Sequence, residues 1–191
     1  MKFISSSIIQ VDRELSDLDL FTIGFTRILK ACSDYVIVSG YVSILLGRAR
    51  VSEDIDIIVP KIEYPTFCKL LKALKQNGFY CLNAEKEKEI YDYIRNNFAV
   101  RFAKVNTAIP NIELKFAKNK VDEISLSKKI TVKLNNAELV ISHLEMQIAF
   151  KEVVLKSPKD MEDARHLRNV AKQHLNNGLI KKYEVMLNEF F

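Results

Sequence analysis

The sequence predicts an α/β (α+β) protein: a mixed sheet flanked by helices over residues 1–141, then a C-terminal helical segment over residues 142–191. Three observations carry this. Short apolar runs of strand length, such as Tyr35-Val36-Ile37-Val38, alternate with longer segments whose apolar residues recur at helical spacing. A strand, a Ser39-Gly40 turn, a short helix and a return strand follow one another before Pro60. From Ser142 onward the signals are helical only. No Gly-, Pro- or Ser-rich linker divides the chain, so the tail is expected to lie on the sheet or to form a small second lobe.

The elements follow in order. Asp17 to about Ala31 carries Leu20, Ile23, Phe25, Ile28 and Leu29 at helical spacing, with Ser16 or Asp17 as its cap. The run to Val38 predicts a buried strand, and Tyr41 to Leu46 a short helix closed by Gly47. Asp54 to Val59 predicts the next strand, stopped by Pro60. Tyr64 to Asn77 predicts a helix with Phe67, Leu70, Leu71 and Leu74 on one stripe and Gly78 beyond its end. Phe79 to Leu82 predicts a strand and Lys86 to Asn96 a charged helix. Ala99 to Val105 and Ile112 to Ala117 predict two strands, and Asn135-Asn136 a hairpin turn between two more. In the tail, Ser142-His143-Leu144-Glu145 has capping-box spacing for a helix running to about Lys156. Ser157-Pro158 opens another helix, with Pro at the first helical position. Asn176-Asn177-Gly178 breaks it before a last helix.

Composition narrows the function classes. With 191 residues, 48% apolar and 28% charged, the chain suits one domain and shows no repeat or low-complexity tract. Cys32, Cys68 and Cys81 form no CxxC pair, and His143, His166 and His174 are scattered, so no zinc site is expected. An odd cysteine count and the polar start of the chain predict a reducing, cytoplasmic setting. No apolar run approaches the roughly 20 residues of a membrane span. The net charge of +5 permits an anionic partner without requiring one.

The chemically informative stretch is Ser52-Glu53-Asp54-Ile55-Asp56-Ile57-Ile58. On a strand, Asp54, Asp56 and Ile58 share one face, while Ile55, Ile57 and Val59 share the other. The two aspartates then sit about 6.5–7 Å apart along the strand, close enough to lean onto one point. Carboxylates so placed near a core repel each other and lose hydration. A divalent cation with hard-oxygen preference, such as Mg²⁺, relieves both costs. A plain acidic turn at a strand entrance is the alternative. Upstream, Ser39-Gly40 at the start of a helix offers amides and hydroxyls suited to phosphate.

Val36 to Pro60, "VIVSGYVSILLGRARVSEDIDIIVP", resembles the first motif of the nucleotidyltransferase superfamily, the polymerase-β-like fold, and is similar to its small prokaryotic members, including the AbiEii-type toxins. Those carry a Gly-Gly or Gly-Ser turn, a short helix, then Gly-x-Arg-x-Ser/Thr-x-Asp-x-Asp. The matching positions are Ser39-Gly40, Gly47-Arg48, Arg50, Ser52, Asp54 and Asp56, and Ser39 stands where many members have Gly. The resemblance implies a third carboxylate on a later strand. Glu113 in "PNIELKFA" is the candidate, although Asp is usual there; Asp122 is weaker, since it suits a helix cap. A second likeness lies in His143 to Leu167. There Lys151, then Lys159, Asp160 and Asp163, match a helix ending in Lys followed by Arg/Lys-Asp-x-x-Asp.

What the resemblance implies is transfer of a nucleotide monophosphate from an NTP to an acceptor hydroxyl, with two Mg²⁺ ions. Asp54, Asp56 and Glu113 would serve as metal and catalytic carboxylates. Ser39, Gly40, Ser43, Arg50 and Lys151 would hold phosphates, and Asp160 would orient the site. Arg48 and Arg50 are phosphate contacts or partners of the acidic cluster. The acceptor could be tRNA or other RNA, a protein or a small molecule, and a toxin-like role would bring an antitoxin partner. Oligomeric state stays open. The competing reading is a degenerate domain of this fold that binds a nucleotide or a partner without turnover.

Overall fold

The computed structural model describes all 191 residues. Its centre is a nine-stranded mixed sheet: β1 (Lys2–Ser5), β2 (Ile8–Val11), β3 (Val36–Val38), β4 (Asp54–Val59), β5 (Phe79–Cys81), β6 (Val100–Lys104), β7 (Asn111–Phe116), β8 (Lys129–Leu134) and β9 (Ala137–Ser142). Across the sheet the order is β1-β2-β8-β9-β3-β4-β7-β6-β5. The helices are α1 (Asp17–Lys30), α2 (Gly40–Leu45), α3 (Tyr64–Gln76), α4 (Glu87–Arg95), α5 (Lys120–Ser127), α6 (Leu144–Phe150), α7 (Pro158–Val170) and α8 (Asn177–Phe190). A wide π-type turn, Lys151–Leu155, follows α6 directly.

Alternation along β4 divides the sheet into two faces. Ile55, Ile57 and Val59 point into the main core with Phe25, Tyr41, Phe67, Phe79 and Phe102. Ile58 points the other way, onto a small cluster with Val36 and Val38, against Leu126 of α5. Asp54 and Asp56 share that second face, so the carboxylates lie opposite the main core. The apolar residues of the tail, among them Leu144, Ile148, Leu167 and Tyr183, join the same contiguous core as the strands.

Helix boundaries follow local chemistry. Ser16 caps α1 and forms a capping box with Asp19. Asp19 is fully buried, and it accepts from Arg13 at 2.5 and 3.0 Å and from the Tyr41 hydroxyl at 2.7 Å, tying α1 to α2. Ser157 caps α7, with Pro158 in the first turn, and Asn176 caps α8 through the Leu179 amide.

Two features lie outside the sequence expectations, and one expectation needs correction. The stretch Lys2–Val11 forms a hairpin, β1–β2, that adds a sheet edge not anticipated from sequence. Lys120–Ser127 is a full helix capped by Asn119. The capping box at Ser142–Glu145 does not form: Ser142 ends β9, His143 is the N-cap without a side-chain bond, and Glu145 accepts instead from the Asn176 amide. Strand β9 claims Ser142 because it pairs with Lys129 of β8.

Candidate active site

Strand β4 lies between β3 and β7, and the register brings the predicted carboxylates together. In the parallel β4–β7 pair Asp56 is opposite Glu113 and Asp54 is opposite Asn111. In the antiparallel β3–β4 pair Val38 is opposite Asp56, which places the following turn residue, Ser39, at the same spot. Residues from four directions close a cleft of about 180 Å³ over this point: Val38, Asp56, Ile58 and Lys115 from the sheet, Ser39 from the turn after β3, Val121, Asp122 and Ser125 from α5, and Met146, Gln147, Phe150, Lys151 and Leu155 from α6 and the π-type turn.

The charges at the cleft interact. Burial raises the Asp56 carboxyl above the usual range; Lys115 pulls it back, while Glu113 and Asp54 raise it further. The Lys115 ammonium is 3.9 Å from Asp56. Glu113 turns toward Arg101, its cross-strand partner on β6, at 3.2 Å. As they stand, then, the three carboxylates do not converge on a single point. The donor set nonetheless suits a hard cation. The oxygens are carboxylates on adjacent strand positions of one face, and the Asp56 carboxyl carries the burden of desolvation and like charge that a cation removes.

The Ser39-Gly40 turn is held by its neighbours. Ser39 adopts φ 66° and ψ −139°, a backbone region that L side chains rarely enter. Its amide donates to Gln147 Oε1 at 3.0 Å, so α6 grips the turn. Gly40 is the close-approach position: a Cβ there would lie 2.4 Å from a guanidinium nitrogen of Arg50. Arg50 therefore rests against the face of the turn expected to meet phosphate. Ser43 is fully buried on α2 and does not line the cleft, and its hydroxyl has no partner.

The two arginines meet a different acid from the nearby cluster. Arg48 pairs with Asp163 and Glu162, and Arg50 pairs with Asp163 at 3.0 Å. Lys151, also on Asp163 at 2.9 Å, lies 3.5 Å from Asp160. Burial raises the Asp163 carboxyl, but Lys151, Arg48 and Arg50 outweigh it and hold it below the usual range. Asp160 accepts from the Ser157 hydroxyl and receives Lys151. Asp163 is thus the hub joining α7 to the segment between α2 and β4. It shares the Lys-Asp-x-x-Asp pattern with Asp160 but was not among the predicted site residues. The available signal was Arg48 and Arg50, two cations at strand spacing that required a buried anion.

No protein-family model matches the chain, and neither does any curated protein sequence. Solved structures do match in shape. An antigenic nucleotidyltransferase-like protein from Paracoccidioides brasiliensis aligns with TM-score 0.53 at 15% identity, over 92% of this chain and 89% of that one. The antibiotic-resistance factor ANT(2'')-Ia aligns in its solution structure with TM-score 0.54 at 13% identity, over 90% and 93% of the two chains. Its complex with adenylyl-2''-tobramycin aligns with TM-score 0.55 at 12% identity, over 91% and 99%. The chain therefore has the nucleotidyltransferase-like fold.

Proposed function

We propose that this protein is a Mg²⁺-dependent nucleotidyltransferase that moves a nucleotide monophosphate from an NTP to an acceptor hydroxyl. The observation that supports this most is the Asp56–Glu113 register pair, with Asp54 on the same face and Asp56 lining a cleft that also holds Ser39 and Lys151. The shape of ANT(2'')-Ia, whose complex contains an adenylylated aminoglycoside, supports the same reaction class.

Asp54, Asp56 and Glu113 would hold the two Mg²⁺ ions. When bound, such ions supply charge neutralisation at the α-phosphate and at the attacking and leaving oxygens. Lys151, held by Asp163, lines the cleft, and its ammonium would add positive charge for the β- and γ-phosphates. Ser39 lines the same cleft, and Gly40 follows it with the Arg50 guanidinium close against it; the Ser39 hydroxyl, the Gly40 amide and Arg50 would meet phosphate there. Glu113 is opposite Asp56 in the register and, once free of Arg101, would serve as the base for the acceptor hydroxyl. The apolar side chains of Ile58, Val121, Phe150 and Leu155 line the cleft and would limit water at the reacting phosphate. The acceptor is an RNA, a protein or a small molecule in the cytoplasm. The AbiEii-like helix pattern at Lys151 and Asp160 supports a toxin-like role with an antitoxin partner.

A second reading has its own support. Lys115 beside Asp56, Arg101 on Glu113 and Arg50 over Gly40 place internal cations at each position where a metal or phosphate would act. A domain so neutralised binds nucleotide or a partner without turnover. Incubation with each α-labelled NTP and Mg²⁺, offering total RNA and total protein, separates the two. Transfer by the wild type and none by Asp56→Ala is the expected result; nucleotide binding with no transfer to any acceptor supports the second reading.

A further inference from the structure

Asp54, Asp56, Asn111 and Glu113 form a block of two same-face positions on each of two neighbouring strands. Adjacent strands lie about 4.8 Å apart, and same-face neighbours along one strand about 6.6 Å. All four corners of this block therefore carry a side-chain oxygen. Three are carboxylates and the fourth is an amide.

Asn111 is 8% exposed, and its Oδ1 has no hydrogen-bond partner, while its Nδ2 donates to the Glu53 carbonyl at 3.4 Å. Leaving a buried carbonyl oxygen unpaired costs about 1–3 kcal/mol, and Asn is depleted from strands in favour of β-branched residues. The surrounding groups do not satisfy it. Ionised carboxylates only accept. Ala103, its cross-strand neighbour on β6, has no donor in its side chain. Arg101 is engaged with Glu113, and Lys115 lies beside Asp56. What would satisfy this oxygen is a cation, or a donor brought in by a ligand.

We propose that Asn111 is the fourth oxygen donor of a divalent-cation seat formed with Asp54, Asp56 and Glu113. The inference rests on the metal-dependent reading above and adds a residue to it. Hard divalent cations accept amide oxygens alongside carboxylates. A neutral donor adds a ligand without adding a fourth charge to three that already repel one another. This accounts for an amide at the buried corner, next to Asp54 and two residues from Glu113.

Mn²⁺ serves as the probe, titrated calorimetrically into the full chain, with thermal melts recorded in parallel with and without the metal. Wild type is expected to bind. Asn111→Ala is expected to bind at least about tenfold more weakly, with a correspondingly smaller metal-induced rise in Tm. Asn111→Asp, which keeps an oxygen at the same reach, is expected to retain binding. Should Asn111→Ala not fold, Asn111→Ser, whose hydroxyl is shorter, takes its place. Equal Mn²⁺ affinity in wild type and Asn111→Ala, with binding lost in Asp56→Asn, overturns the role of Asn111 and leaves the carboxylate site standing. No Mn²⁺ binding by the wild type overturns both.

Discussion

The Lys151 ammonium lies 2.9 Å from an Asp163 carboxylate oxygen, with Lys151 1% and Asp163 0% exposed. The same carboxylate receives Arg48 and Arg50. Breaking a buried pair is severe chiefly when it leaves a charge without compensation. Asp163 is shared by three cations, whereas Lys151 is one of three partners. Asp163→Ala is therefore expected to destabilise the fold by about 3–5 kcal/mol. Lys151→Met, which leaves Asp163 with both arginines, is expected to cost clearly less. Urea unfolding of the two variants checks the order, and a Lys151→Met loss as large as that of Asp163→Ala would remove Asp163 from the centre of the network.

Asp19, on the main-core side of the sheet, is expected to contribute to the acid limb of stability. Burial alone would raise its carboxyl, but Arg13, Tyr41 and Ser16 hydrogen bonds bring it down to about 2 from an ordinary 3.8. A carboxyl lowered on folding contributes stability that is present above its unfolded value and lost as pH falls toward the folded one. At about 1.4 kcal/mol per pH unit, that is roughly 2 kcal/mol lost between about pH 4 and pH 2. Asp19→Asn is expected to be less stable at neutral pH and to show a flatter acid limb. Denaturant midpoints measured from pH 2 to pH 7 test this; an unchanged acid limb would show that Asp19 is not the group responsible.

The strand faces, and with them the placement of Asp54, Asp56 and Glu113 on one face, were legible because period-two alternation is a local property. Asp54–Val59 was bounded correctly by its acidic entrance and by Pro60, and Ser157-Pro158 marked the start of α7. The tight hub around Asp163 was not legible. Arg48 and Arg50 lie within a few residues of Asp54 and Asp56, yet their partners sit 113 to 115 residues away on α7. Strands β1 and β2 escaped notice for a similar reason. Each has four residues, and β2 pairs in parallel with the distant β8. Asn111 gave a local signal, an amide two residues before Glu113 on the same face, but its isolation became visible only with neighbours in place.

Asp56 is where the site's charge works against the fold. Its carboxyl is raised by burial, and further by Glu113 and Asp54, with Lys115 opposing. A carboxyl raised on folding favours the protonated native state, so its contribution is present below the unfolded value and lost as pH rises through the folded one. At neutral pH without metal, Asp56→Asn is therefore expected to melt higher than wild type. With Mg²⁺ present, the wild type is expected to gain and the variant not. Paired melts with and without Mg²⁺ read both effects, and a lower metal-free Tm for Asp56→Asn would assign Asp56 a structural role through Lys115.

Ser39 offers a test of the turn itself. At φ 66° and ψ −139° the backbone lies where a Cβ is unfavourable, at a cost of about 1–3 kcal/mol. The conformation is held by the Gln147 side chain, which accepts the Ser39 amide, and this bond survives a change of side chain. Glycine removes the strain but adds about 0.5–1 kcal/mol of unfolded-state freedom. Ser39→Gly is thus expected to gain about 1 kcal/mol of stability, seen as a higher urea midpoint at unchanged slope. It also removes the hydroxyl that lowers the Asp56 carboxyl, so the raised value of Asp56 is expected to climb further. A destabilised Ser39→Gly would mean that the hydroxyl contributes more to the turn than the strain costs. Strain at this position, in a turn clamped by α6 and faced by Arg50, would then be held by the Ser39 side chain rather than by Gln147 alone.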